Sequence, residues 1–98
     1  MITITHSPGS IKVSGHAGYA PPGQDIVCAS VSALTQVFVE SVKELTTDKI
    51  KCEIESGNAV IHYGNLGERA KLLRDSFLLG VKMIAESYPD HVRIEKTE

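Results

Sequence analysis

Alternating apolar and polar residues predict five short strands along the chain. A period of two is typical of strands with one buried face. Turn residues separate the first two strands at residues 6–10, where Pro8 and Gly9 stand, and the next two strands at residues 56–58. The predicted strands cover residues 2–5, 11–14, 50–55, 59–63 and 91–94.

Apolar residues at steps of three and four predict two helices. Asp25 is placed to cap the first helix, whereas Asn65 followed by Glu68 resembles a capping box for the second, which stops at Pro89. The first stripe, which places a helix at about residues 26–45, consists of Val27, Val31, Leu34, Phe38, Val42 and Leu45. The second stripe consists of Leu73, Phe77, Val81, Ile84 and Tyr88.

The order of elements is therefore ββαββαβ, which predicts an α+β fold. Adjacent hairpins favour a mostly antiparallel β-sheet, with the two helices packed on one face. We expect one domain over residues 1–98, since a chain this short holds only one core. A second apolar row at Leu72, Leu79 and Met83 indicates that the second helix has a further packing surface.

Charge and composition narrow the class of function. The net charge is −2 at pH 7 and no basic stripe is visible, so we expect no direct nucleic-acid binding. The first residues lack the charged and apolar regions of a signal peptide, and no stretch is expected to approach the roughly 18 apolar residues that a membrane span needs. We expect a cytoplasmic protein with no membrane contact, in which both cysteines stay reduced.

Glycine and proline crowd the segment between the second strand and the first helix. Gly15, Gly18, Pro21, Pro22 and Gly23 stand close together, a set that neither a helix nor a central strand tolerates. The segment is therefore predicted to be a loop. A loop of this length in a compact domain is often functional.

Cys28 and His16 flank this loop and form a candidate catalytic pair. Cys28 lies in the predicted first turn of the helix, where unpaired N–H groups and the helix dipole favour a thiolate. His16 follows the second strand, and an imidazole exchanges protons near neutral pH. The pattern therefore favours a cysteine nucleophile with a histidine as general base and acid.

Two further roles are predicted at the same helix start. The backbone N–H groups of Cys28 and Ala29 are candidates to bind a developing oxyanion, and loss of one such donor costs roughly 3 kcal/mol of transition-state stabilisation in a serine protease. Asp25 is either a helix cap or a residue that orients His16. It can also do both, with one carboxylate oxygen in each role.

Each of these residues also has a non-catalytic interpretation. Cys28 can be a small buried residue, His16 can merely end a strand, and the loop can be a plain connection. A zinc site is a further alternative, for which the four candidate ligands are His16, Cys28, Cys52 and His62. Their spacing matches no compact zinc motif, and Cys52 alternates in phase with core residues, so we expect no metal and no cofactor.

Two stretches of the chain carry a resemblance to a known family. The first stretch consists of Gly15-His16-Ala17, followed at fixed spacing by Asp25-Ile26-Val27-Cys28-Ala29-Ser30-Val31-Ser32-Ala33-Leu34. They resemble the signature of the ribosomal-processing cysteine protease family, Prp. The stretch from Phe77-Leu78-Leu79-Gly80-Val81 to Tyr88-Pro89 is similar to the C-terminal helix of that family.

The resemblance implies a specific activity. Members of the family remove a short N-terminal extension from a large-subunit ribosomal protein, cutting after a pair of phenylalanines, and they are homodimers. Phage relatives process capsid or scaffold proteins. Carried over by position, Cys28 is the nucleophile, His16 the base and Asp25 the possible third member. Two alternatives remain: a phage-type processing protease that acts on a capsid or scaffold protein, and a non-catalytic module that binds a partner during ribosome assembly.

The resemblance also implies a flexible substrate loop that moves when substrate binds. Its residues here are Ala17, Gly18, Tyr19, Ala20, Pro21, Pro22, Gly23 and Gln24. The two prolines depart from the family pattern, in which acidic or aromatic residues are expected, and they stiffen the loop. Tyr19 and exposed apolar residues of the first helix are candidates for the groove that holds a phenylalanine side chain.

Overall fold

The computed structural model describes residues 1–55 and 57–97, and the elements follow the predicted order. The strands and helices are β1 (Ile2–Ser7), β2 (Ser10–Ser14), α1 (Ile26–Leu45), β3 (Ile50–Glu55), β4 (Asn58–Tyr63), α2 (Glu68–Ser87) and β5 (Val92–Lys96). Helix α1 has the predicted bounds. The loop between β2 and α1 contains neither a helix nor a strand, as predicted.

The strands form a five-stranded sheet in the order β3-β4-β2-β1-β5. Three neighbouring pairs are antiparallel, whereas β5 lies parallel to β1, with Ile4 opposite Ile94. A strand can return parallel to an earlier one only through a long crossover, and the chain between β1 and β5 includes both helices. Because three of the four strand pairs are antiparallel, the sheet is mostly antiparallel, as predicted.

One face of the sheet is apolar and the other is polar, because successive residues of a strand point to opposite faces. Ile4, Ile11 and Ile61 are fully buried and join the helix residues in one hydrophobic core. Lys12 and His62, at alternate positions, are exposed. Both helices therefore cover the same face of the sheet, which confirms the α+β prediction.

Helices α1 and α2 pack against each other as an antiparallel pair. Phe38 stacks on Phe77 with ring centroids 5.3 Å apart. One turn away, Leu34 lies so close to Gly80 that a Cβ on this glycine would stand 3.0 Å from a Leu34 methyl carbon. Packing against α2 fixes the orientation of α1, and Cys28 lies in the first turn of α1.

Contrary to expectation, helix α1 is long and apolar enough to cross a membrane by length and composition alone. In this fold its apolar stripe packs into the core instead. The buried residues of the helix are Val27, Val31, Thr35, Phe38, Val39 and Val42. A core helix of a globular domain has the same pattern, so the packing explains the composition.

The turn between β1 and β2 is shorter than predicted. Ser7 pairs with Ser10, so only Pro8 and Gly9 form the turn, and Gly9 has a φ of +86°. Ser56, in the predicted turn between β3 and β4, lies outside the described residues.

The predicted capping box at the start of α2 is wrong. The N-cap residue is Gly67, and no side chain caps the helix. Instead, the Gly67 N–H donates to Asp48 Oδ2 at 2.9 Å. A carboxylate from the connection between α1 and β3 thus accepts the N–H of the N-cap residue, the role that a capping box gives to the Glu three residues later.

Candidate active site

His16 is delivered to one end of the sheet by the last residues of β2. Gly15 leaves the strand with a φ of +92°, a backbone conformation that glycine adopts without strain. The Gly15 N–H donates to the carbonyl oxygen of Gly57 at 2.8 Å, and the backbone nitrogen of Met1 donates to the His16 oxygen at 2.6 Å. The backbone of His16 is therefore held from two sides, while its side chain is exposed.

Asp25 is the N-cap residue of α1 and holds Cys28 in the first turn. Its Oδ1 accepts the Cys28 N–H at 2.9 Å, and its Oδ2 accepts the Tyr19 N–H at 3.1 Å. The hydrogen bond from Cys28, together with those from other backbone N–H groups, holds the pKa of Asp25 below its ordinary value. Asp25 thus ties the loop to the helix start, and the oxygen predicted to orient His16 instead accepts a backbone N–H.

His16 and Cys28 line the same cleft, which has a volume of about 740 Å³. They also share a smaller cavity of about 160 Å³ on the side of the β3–β4 connection. The remaining residues of the larger cleft come from the loop and from the first two turns of α1: Gly18, Ala20, Pro22, Gly23, Gln24, Asp25, Ile26, Ala29 and Ser32. The fold therefore brings the candidate nucleophile and base to one concave surface.

Ser32 is a cleft residue that the sequence reasoning did not single out. It lies one helical turn after Cys28 and lines both cavities with Cys28 and His16. Residues four positions apart share a face of a helix, so this spacing was the available signal.

The predicted oxyanion donors need correction. The Cys28 N–H donates to the Asp25 carboxylate, and the Ala29 N–H donates to the Asp25 carbonyl oxygen at 3.0 Å. The Cys28 N–H is used by the helix cap, and the Ala29 N–H forms the first intrahelical hydrogen bond of α1. Neither N–H is therefore free to bind an oxyanion in this conformation.

The first part of the loop is fixed to the C-terminal segment. Ala17 is buried, and its carbonyl oxygen lies 2.9 Å from Nδ1 of His91, which donates to it when protonated. The Tyr19 ring packs edge-on against Tyr88 and His91, with ring centroids 5.4 and 5.3 Å apart. Tyr19 does not line the cleft. The expectation that it contributes to the substrate groove is therefore wrong.

The second part of the loop is exposed. Pro21, Pro22, Gly23 and Gln24 are all solvent-accessible, and a hydrogen bond of 3.0 Å from the Gln24 N–H to the Pro21 oxygen closes a turn. Within residues 1–55 and 57–97, no side-chain hydrogen bond or ring contact with the C-terminal segment holds these four residues, whereas Tyr19, although 44% exposed, is anchored by its ring contacts.

The four residues of the alternative zinc site are not arranged around one point. Cys52 pairs with Ile61 on the core face of the sheet, whereas His62 lies on the opposite face. Burial raises the pKa of the Cys52 thiol. In the described parts of the chain, no group of three or more His, Cys, Asp and Glu residues is placed to hold a metal ion.

Comparison with known proteins identifies relatives along the whole chain. The family described as "Cysteine protease Prp" matches residues 1–93. The ribosomal processing cysteine protease Prp of Mycoplasma pneumoniae is 30% identical over 97% of this chain and 94% of its own length. The protein of the same name in Bacillus subtilis is 26% identical over 95% of this chain and 91% of its own length.

Solved structures share the fold. The ribosomal processing protease Prp from S. aureus, in complex with a covalently linked product peptide, superposes with a TM-score of 0.95 at 24% identity. That match covers 99% of this chain and 100% of the other. A crystal structure of a Streptococcus mutans protein superposes with a TM-score of 0.72 at 30% identity, covering 98% of this chain and 93% of that one.

Proposed function

Because this chain belongs to the family of Prp cysteine proteases, we propose that it removes a short N-terminal extension from a large-subunit ribosomal protein by cutting after a Phe-Phe-type motif. The chain is a cysteine peptidase by family membership. The name of its relatives, ribosomal processing cysteine protease, supports a ribosomal protein as substrate.

The shared cleft of Cys28 and His16 is the observation on which the proposal rests. His16 removes the proton of the Cys28 thiol, and the thiolate attacks the peptide carbonyl carbon. When the C–N bond breaks, protonated His16 gives its proton to the departing amine, and an acyl-enzyme thioester remains. His16 then activates a water molecule, which hydrolyses the thioester and restores the thiol.

The wall of the cleft suits an apolar side chain next to the cut. Ile26 is 54% exposed, and with Ala29 of α1 and Pro22 of the loop it forms an apolar part of the cleft. A phenylalanine ring that packs there removes a large apolar area from contact with water, and this burial stabilises the complex. These residues replace Tyr19 as the candidates for the substrate groove.

We further propose that the protein acts in the cytoplasm, where ribosomes mature, and that it is a homodimer. The exposed apolar row of α2, formed by Leu72, Leu79 and Met83, supports a surface for a second copy. This row lies outside the residues of the cleft.

Peptide cleavage tests the activity directly. The protein is incubated with a peptide that spans the extension of the ribosomal protein, and the products are weighed by mass spectrometry. We expect one cut after the phenylalanine pair, and no cut with Cys28→Ala or His16→Ala. The matched control is Cys52→Ser, which changes the other cysteine on the sheet and should leave cleavage intact.

Two outcomes would contradict the proposal. Cleavage by the Cys28→Ala protein would exclude Cys28 as the nucleophile. Cleavage of a phage capsid peptide, but not of the ribosomal peptide, would move the substrate to the viral class. Tight binding of the ribosomal peptide without any cleavage would favour the non-catalytic binding module.

A further inference from the structure

The imidazole of His16 lies directly against a residue that is distant in sequence. Gly57, between β3 and β4, has a φ of +71° and its Cα faces the His16 ring. A Cβ built on Gly57 would stand 2.7 Å from His16 Nε2 and 3.2 Å from Cε1. Real side chains essentially never approach this closely, so any residue other than glycine would displace the imidazole or the turn.

The same glycine also holds the backbone next to His16. Its carbonyl oxygen accepts the Gly15 N–H at 2.8 Å. The β3–β4 turn thus fixes the chain one residue before His16 and forms a wall against the edge of its ring that carries Nε2. A histidine at the end of a strand is otherwise free to adopt several rotamers, so this contact restricts where its ring nitrogens stand.

We propose that Gly57 is a positioning residue for the peptidase reaction, because the missing side chain at position 57 lets the His16 ring rest against the β3–β4 turn, beside the cavity that Gly57, His16 and Cys28 all line. The inference rests on the proposed role of His16 as the base. It adds that the β3–β4 connection, outside the His-to-Cys motif, determines where the base stands.

The test replaces Gly57 with two residues that differ in backbone tolerance. Gly57→Ala adds a Cβ and strains a positive φ, whereas Gly57→Asn adds a Cβ but tolerates this backbone region better. If the contact with His16 matters, both variants should lose about 100-fold in kcat, the size of loss that a displacement of roughly 1 Å in an active site can cause. KM should stay within about twofold, since the substrate wall is unchanged.

Gly9→Ala and Gly9→Asn are the matched controls. Gly9 has a φ of +86°, and a Cβ there would stand 3.1 Å from the Tyr63 carbonyl oxygen, but the residue lies in the β1–β2 turn and does not line the cleft. These variants carry the same backbone strain without touching His16. They should keep full kcat, and their melting temperatures show how much the strain alone destabilises the fold.

A measurement on the unchanged protein avoids any dependence on variant folding. The proton on Cε1 of His16 should give a nuclear Overhauser effect to an α-proton of Gly57, because the two groups are in contact. Absence of this effect in the folded protein would overturn the inference. So would full kcat in both Gly57 variants.

The results separate this inference from the proposed function. An active His16→Ala protein would end the role of His16 as base. An inactive His16→Ala protein together with fully active Gly57 variants would leave that role intact and exclude only the positioning by Gly57.

Discussion

The two cysteines stand in different surroundings, and this difference decides which of them reacts. Cys28 lines the cleft in the first turn of α1, next to the loop and His16. Cys52 lies on the core face of β3, where burial raises the pKa of its thiol. A thiol with a raised pKa holds less thiolate near neutral pH and is a poorer nucleophile.

Limited alkylation should therefore label the Cys28 thiol faster than the Cys52 thiol. With iodoacetamide near neutral pH, we expect Cys28 to be modified well before Cys52, and peptide mass spectrometry after brief labelling measures the order. Cys52→Ser should keep one fast site, whereas Cys28→Ala should leave only the slow one. Equal labelling of both cysteines in the folded protein would contradict this prediction.

At the scale of the elements, the start of α1 and the loop depend on Asp25. One carboxylate oxygen caps the helix and the other holds the Tyr19 N–H. These hydrogen bonds form to the charged carboxylate, and they lower its pKa in the folded protein. The stabilisation is present above the unfolded pKa, near 3.8, and it is lost as the pH falls through the lower folded pKa.

Asp25→Asn should reveal this dependence on pH. Asparagine still offers a capping oxygen but does not titrate. The melting temperature of the unchanged protein should exceed that of the variant by a constant amount above about pH 5, and the difference should shrink below about pH 4. Circular dichroism melts over this range measure it, with exposed Asp90→Asn as the control. A constant difference at every pH would contradict the role of the Asp25 charge.

The clasp formed by Tyr19, Tyr88 and His91 should limit opening of the first part of the loop. His91→Ala removes the hydrogen bond to Ala17 and the ring packed against Tyr19. A lost hydrogen bond of about 1 kcal/mol raises the open population roughly fivefold. Amide hydrogen exchange of a peptide that spans the loop should accelerate accordingly. His62→Ala, on the polar face of the sheet, should change nothing, and unchanged exchange in His91→Ala would exclude the clasp.

Local patterns predicted the elements well but not the contacts between distant segments. Alternation and helical periodicity placed the strands and α1, because burial of one face fixes both patterns. The parallel pairing of β5 with β1 has no local signal. Nor does the Asp48 carboxylate at the start of α2, since its partner Gly67 lies 19 residues away.

The same limit applies to the candidate site. The motif placed Cys28, His16 and Asp25 beside one loop, and the structure brings all three to one cleft, with Asp25 as the cap of α1. Sequence spacing could not show that Tyr19 packs on the C-terminal segment or that Gly57 faces the His16 ring. The oxyanion prediction failed for a different reason: a strong cap uses the N–H group that an uncapped helix would leave free.

At the scale of the whole molecule, the cleft and the outer face of α2 are separate surfaces. The cleft lies at the start of α1 and is lined by the loop. Leu72, Leu79 and Met83 are 70%, 60% and 61% exposed, and their spacing places them on one side of α2. Exposed apolar residues grouped on one helix face are typical of an interface between proteins.

If this face joins two copies, a charge there should separate them without unfolding either copy. The double change Leu79→Glu and Met83→Glu should convert a dimer to a monomer in sedimentation experiments, because two carboxylates from each copy would be buried against apolar surface. The melting transition should stay cooperative, since neither residue belongs to the core. Leu45→Glu is the matched control, because Leu45 is also 61% exposed but lies at the end of α1. A dimer that survives the double change and dissociates with Leu45→Glu would move the interface to α1, and a monomeric unchanged protein would exclude the homodimer.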